Sequence, residues 1–189
     1  MMVTILDKII RNTIDFKLLY ILALPIKKNN IIETIQNWGP NYKVEFNIFV
    51  KKEGHSLNVF HFTADDNACC NVGDRIPFVL VHKTSLNSDN VFHISSGVNS
   101  IGNKVTNIPY NLFTEYNIII QQYEESQNVW KYEIIINGEV KHSIQNIDPK
   151  VFTNVIVYAG SPWKDVFDSD YGTVWNLKIN GVPLQTEGT

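Results

Sequence analysis

The segment FHFTADDNACCNVGDRIPFVLVH, from Phe60 to His82, gathers the residues of this chain whose types and spacing could do chemistry. It reads as a strand, a polar loop dense in Asp, Asn and Cys, and a second apolar strand opened by Pro77. Cys69 and Cys70 are the only cysteines, and they are adjacent. Sequence neighbours cannot staple a long loop, and two thiols alone cannot build a structural zinc site. Three states stay open for them: two reduced thiols, a vicinal disulfide, or a redox or metal-binding pair. Asp74 and Arg75 follow Gly73, so a turn should aim them at the rim of the strands. There the Arg fork and the carboxylate could clamp ligand hydroxyls, with Asn67, His82 and Asn99 nearby. The alternative is an internal salt bridge that holds the loop.

A second cluster follows about 90 residues later. Trp163, in the turn Ser161-Pro162-Trp163, is either a flat platform for a ligand or a plug at the end of the fold. Asp165, Asp168 and Asp170 behind it could give oxygen ligands to Ca²⁺, but they lack the Gly and terminal Glu of a calcium-hand loop, and a solvated acidic loop competes. Calcium is therefore the one ion held open, and no other cofactor is expected. His61, His82 and His93 show no HxH or HxxxH spacing, so each reads first as a satisfied strand histidine.

These clusters need a scaffold, and length and composition bound it. The 189 residues, 44% hydrophobic and 19% charged, suit one folded domain with a sizeable core. The net charge of -3 and the lack of any cationic run longer than Lys27-Lys28 or Lys51-Lys52 argue against nucleic acid as a partner. The run LLYILAL at Leu18 to Leu24 follows Lys8, Arg11 and Lys17 and precedes Pro25, the order of a secretory signal; an amphipathic N-terminal helix is the alternative. The run is too short for a membrane span, which needs roughly 20 residues. The expected division is 1–24 as signal peptide or helix, 25–37 as linker, 38–182 as the folded domain and 183–189 as tail.

From Trp38 onward, short apolar stretches of period two alternate with Gly, Asn, Asp and Pro. The pattern predicts strands at Tyr42–Val50, Ser56–Thr63, Ile76–His82, Val91–Gly97, Tyr116–Gln122, Val129–Asn137, Glu139–Ile144, Thr153–Tyr158 and Thr173–Ile179. Asn137-Gly138 between two of them predicts a tight hairpin with positive φ at both residues. Nine strands about 10 residues apart predict an all-β, two-sheet antiparallel sandwich or a barrel. Runs such as Tyr116–Ile120 are apolar on both faces and need cover on one side and cover or a ligand on the other.

The FHFT strand end, the CC-x-x-GDRIP segment, Phe92–Ile94 with Val98-Asn99 and Asn103, the INGE hairpin at Ile136–Glu139 and VYAGSPW at Val157–Trp163 carry a resemblance. Over residues 38 to 180 the chain resembles the concanavalin A-like lectin/glucanase superfamily, the laminin G, pentraxin and galectin type of jelly roll. More narrowly it resembles a group of secreted invertebrate domains of that fold. The resemblance implies a jelly-roll sandwich and leaves lectins, adhesion modules and hydrolases open. The Glu-x-Asp-x-x-Glu strand of the hydrolases is absent, as are GxSxG, P-loop and HExxH motifs, so no catalysis is expected. The galectin motifs His-x-Asn-x-Arg and Trp-x-x-Glu-x-Arg are also absent, and galactose specificity is not carried over.

The reading is thus an extracellular, non-catalytic, lectin-like module for a glycan or glycoprotein, with an adhesion or protein-contact domain of the same fold as the alternative. An oxidising compartment would favour a Cys69–Cys70 bridge, an apolar disc against which a sugar ring could stack. Its site should form where residues 67–75 and 161–168 face one another, with Arg75 and Asp74 bonding the ligand and Trp163 as the wall.

Overall fold

Alternation along the strand Tyr42–Val50 sets the inside of the molecule: Val44, Phe46, Ile48 and Val50 are fully buried, while the residues between them are only half-buried. The computed structural model describes residues 23–85, 89–180 and 182–184. In chain order the strands are β1 (Ile31–Trp38), β2 (Tyr42–Val50), β3 (Leu57–Thr63), β4 (Phe78–Lys83), β5 (Asn90–Val98) and β6 (Ile101–Pro109). There follow β7 (Glu115–Ser126), β8 (Val129–Ile136), β9 (Glu139–Asn146), β10 (Phe152–Ala159), β11 (Gly172–Ile179) and β12 (Val182–Pro183). They form two six-stranded antiparallel sheets, ordered β1-β10-β3-β4-β5-β6 and β12-β11-β2-β7-β8-β9. The inner faces meet in one core that includes Trp38, Phe46, Phe60, Phe62, Phe92 and Ile118. This is the two-sheet sandwich, one of the two architectures the strand pattern predicts, and the jelly roll that the resemblance implies; the described residues contain no helix.

All nine predicted strands are present, with ends moved by no more than a few residues. Asn137 and Gly138 have φ of 52° and 80° and join β8 to β9 with Ile136 opposite Glu139, the geometry of a hairpin whose turn residues both need positive φ.

Two boundaries are corrected. Residues 31–37, expected as linker, belong to β1, which pairs with β10 from Ile31↔Tyr158 to Trp38↔Phe152. Before it, Leu24 and Ile26 enter the core, and Leu24 N–H donates to the Val174 carbonyl at 2.7 Å. The strand was invisible to pattern because it is a sheet edge with one neighbour: backbone bonds hold it, and Trp38 is its one buried side chain. β6, at the opposite edge, escaped notice for the same reason, its GNKVTN stretch being only partly covered. At the other end, Pro183 pairs with Lys178 instead of opening a free tail, an edge placement that suits a residue without an N–H. The signal-like run at 18–24 lies outside the described residues except for Ala23 and Leu24.

All seven residues of β3 are buried. A bulge between Asn58 and Phe60 turns both Val59 and Phe60 toward the core, whereas His61 faces the other way. Two long loops, residues 64–77 and 160–171, fold over that outer face, and they form the site described next.

Candidate functional site

Register places a row of side chains on the outer face of the first sheet: Tyr158 opposite His61, His61 opposite Phe78, and one step along, Leu80 opposite His93 opposite Asn107. Their rings form a continuous strip. Trp163 packs on Tyr158 and His61 with centroids 5.8 and 5.1 Å apart, His61 meets Phe78 at 4.9 Å, and His93 lies edge-on to Phe78 and His82 at 6.4 and 6.2 Å.

The two loops meet over this strip. The Tyr158 hydroxyl donates to Asp66 Oδ1 at 2.7 Å, tying β10 to the cysteine-bearing loop, while Trp163 of the other loop lies on the same ring. Burial and that bond push the Tyr158 hydroxyl up to about 12. His61 is buried, and its Nε2–H donates to the Asp74 carbonyl at 2.7 Å. Burial drives the His61 pKa down to about 4, so the ring is neutral at physiological pH.

Arg75 anchors the first loop but makes no ion pair among the described residues. Its Nε donates to the Ala68 carbonyl at 3.1 Å and its Nη1 to Asn103 Oδ1 at 2.8 Å, and its guanidinium lies 4.2 Å above the Phe78 ring. The internal salt bridge expected as one alternative is therefore replaced by neutral acceptors and a ring. Asp74, fully buried, points elsewhere: its Oδ2 accepts from Asn71 N–H at 2.7 Å and from Asn67 Nδ2 at 3.4 Å.

Beside Arg75 a cavity of about 180 Å³ opens onto this face. Phe78 and Leu80 make its apolar floor, and Ser56, Arg75, His82, His93 and Lys164 supply polar walls. Ser56 Oγ and His82 Nδ1 are 3.1 Å apart, and His93 Nδ1 lies 2.9 Å from Asn107 Oδ1, so both rings are oriented before any ligand arrives. Burial also pulls the His93 pKa below its ordinary value. The volume is below the roughly 300–1,000 Å³ of pockets for drug-sized ligands and suits one ring of a larger ligand. A larger cavity, about 330 Å³, lies between residues 23–27 and β11, but Leu24, Ile26, Phe167 and Val174 make its walls mainly apolar.

Of the residues singled out in the sequence, Arg75 and His82 line the cavity, and Trp163 stands against the same strip with 36% of its surface exposed. Asn67 and Asp74 sit behind Arg75 as loop supports. Cys69 and Cys70 are joined as a vicinal disulfide at the outer edge of that loop, away from the cavity lining. Asp165 is exposed and binds the fold through its carbonyl, which accepts from Asn58 N–H at 2.8 Å. Asn99 is corrected outright: with φ of 56° it turns β5 into β6, accepts from Ile147 N–H at 2.6 Å and donates to the Gln145 carbonyl at 3.1 Å. Asp168 Oδ1 accepts from Asp170 N–H at 2.9 Å, so this pair shapes its own turn, and no cluster of three or more metal-ligating side chains exists among the described residues. The sequence does not single out Ser56, Phe78, Leu80 and Lys164, and His93 reads there as a satisfied strand histidine. The alternation Phe78, Leu80, His82 was the available signal, since period two puts all three on one face.

Gly102 of β6 carries the cysteine loop from below. A Cβ there would run into the backbone of Cys70 and Asn71, which cannot swing aside as a side chain can. Gly102→Ala is expected to cost about 1–3 kcal/mol by overpacking, lowering Tm by roughly 2–4 °C per kcal/mol for a chain of this size. A thermal melt with an unchanged Tm would contradict the close approach.

No protein-family model matches the chain, and no curated protein matches it. Solved structures do. The native heptameric SAP-like pentraxin from Limulus polyphemus superposes with a TM-score of 0.54 at 13% identity, over 87% of this chain and 76% of its own. Domain 4 of the extracellular arabinanase AbnA from Geobacillus stearothermophilus, solved with arabinotriose, gives 0.47 at 14% identity, over 80% and 67%. The alginate lyase Aly36B gives 0.49 at 13% identity, over 82% and 74%. At such identities a likeness shows the fold alone, here a jelly-roll sandwich, and the narrower invertebrate group of the GDRIP segment is not reached. A fold by itself does not assign an activity.

Proposed function

We propose that this chain is an extracellular, lectin-like carbohydrate-binding module that seats one sugar ring in the cavity beside Arg75 and performs no bond cleavage. The observation that carries the reading is the cavity's division into an apolar floor, Phe78 and Leu80, and preoriented hydrogen-bonding walls, Ser56, Arg75, His82 and His93. A pyranose has the matching character, with C–H faces that lie on rings and hydroxyls at its edge. Trp163, on the same strip, extends the surface for a neighbouring ring. Secretion belongs to the proposal, supported by the LLYILAL run and the Cys69–Cys70 disulfide.

The protein-contact alternative would use a broad apolar sheet face. The second sheet's outer face instead shows the polar row Lys43, Gln121, Glu133 and Ser143, with Gln121 and Ser143 donating to Glu133 at 3.1 and 3.2 Å.

The test is a glycan array followed by titration of the bound glycan. Trp163→Ala is expected to weaken binding about tenfold, in keeping with the roughly 0.5–1.5 kcal/mol of an aromatic contact, while Tm falls little because the ring is part-exposed. Incubation with the bound glycan should release neither reducing ends nor unsaturated product. Product formation would overturn the non-catalytic reading, and an array without any bound glycan would overturn the carbohydrate reading.

A further inference from the structure

Charge in the cavity is one-sided. Its described lining holds Arg75 and Lys164 and no Asp or Glu. Asp74, the carboxylate next to Arg75 in sequence, is sealed behind it and bonded to Asn71 and Asn67, so a ligand in the cavity meets the cation and not its neighbour. Lys164 is exposed and forms no ion pair with a described residue, in contrast to Lys83, which holds Glu53 at 2.6 Å. Nε and Nη1 of Arg75 are engaged by Ala68 and Asn103, which leaves Nη2 without a protein partner among the described residues. The two bonds and the Phe78 ring fix the guanidinium plane in advance, so presenting that edge needs little further ordering. A buried, preoriented guanidinium that shares a cavity with a lysine suits an anionic oxygen group much better than a hydroxyl.

Resting on the carbohydrate reading above, we infer that the sugar seated in this cavity is acidic, with a carboxylate or a sulfate placed between Arg75 and Lys164. The remaining walls, Ser56, His82 and His93, then bond ring hydroxyls, and the C–H groups turn to the apolar floor at Leu80.

Paired glycans that differ only in the charged group give the test: uronate oligomers against their carboxyl-reduced forms, sialyllactose against lactose, and a sulfated galactan oligomer against its desulfated form. The bound glycans are expected from the acidic members, at least tenfold tighter than their neutral partners. The member that binds separates carboxylate from sulfate as the source. Lys164→Ala, an exposed change that spares the fold, should weaken acidic binding three- to tenfold, and Lys164→Glu should weaken it further. Lys141→Ala, on β9 and outside the cavity, should change nothing, which separates a local contact from general attraction. Binding of neutral and acidic partners with equal affinity, or a Lys164→Glu variant that binds acidic glycans as well as the parent, would overturn the inference and leave the carbohydrate reading standing. Failure of every glycan to bind would overturn the carbohydrate reading beneath it.

Discussion

Between pH 7 and pH 4 the protein is expected to lose about 3 kcal/mol of stability through His61 alone. The ring is buried between Phe78 and Trp163, and its Nε2–H bonds the Asp74 carbonyl. Burial depresses its folded-state pKa to about 4 from an ordinary 6.5. Above pH 6.5 the ring is neutral in both states and the stability is fully present. As pH falls below 6.5, the unfolded chain takes up a proton that the folded chain refuses, and stability drains away until the folded ring itself protonates near pH 4. Urea unfolding of the parent and of His61→Gln at both pH values isolates this contribution. His93 and His142, whose pKa values burial also lowers, titrate in both proteins and cancel in the comparison. The variant should show the smaller pH dependence, by about 3 kcal/mol; equal dependence in the two proteins would refute the assignment to His61. Because His61 supports both Trp163 and the Asp74 turn, the proposed glycan binding should fail only where the folded ring itself protonates, near pH 4.

Trp38→Ala is expected to cost about 3–5 kcal/mol, as large aromatic deletions in close-packed cores do. Trp38 is 1% exposed, with ring centroids 4.9 Å from Tyr42 and 5.5 Å from Phe62, so it joins the end of β1 to both sheets. Smaller residues around it cannot fill an indole-sized void without moving β1 from β10. A Tm lowered by roughly 10 °C follows from the chain length, and hydrogen exchange should quicken first at β1 amides. A Tm within 2 °C of the parent would show that β1 is not anchored this way.

Much of the sandwich was legible before any coordinates. Period-two stretches such as Tyr42–Val50 announce themselves because one face must be apolar, and Asn137-Gly138 marks a hairpin because few residue pairs tolerate positive φ twice. Edge strands β1 and β6 are not legible: held by backbone bonds that any sequence can make, they lack the Asn-Gly turn that marks the edge strand β9. The fold class leads to the expectation that residues 67–75 face 161–168, and the structure places Arg75, His82 and Trp163 on one sheet face.

Which side chains share the cavity is decided by strand register together with the loops that bring in Arg75 and Lys164. His93 enters because it lies opposite Leu80, and Asn99 leaves because its positive φ turns β5 into β6 and its side chain bonds the backbone of Gln145 and Ile147. Composition and local spacing carry the strand, the turn and the chemical repertoire of each residue. A strand's neighbour, its outward face and the acceptor that takes an Arg75 N–H depend on partners tens of residues away, Ala68 aside. Only the packed sheets choose those partners, because a shift of one residue in pairing would send every side chain of that strand to the opposite face.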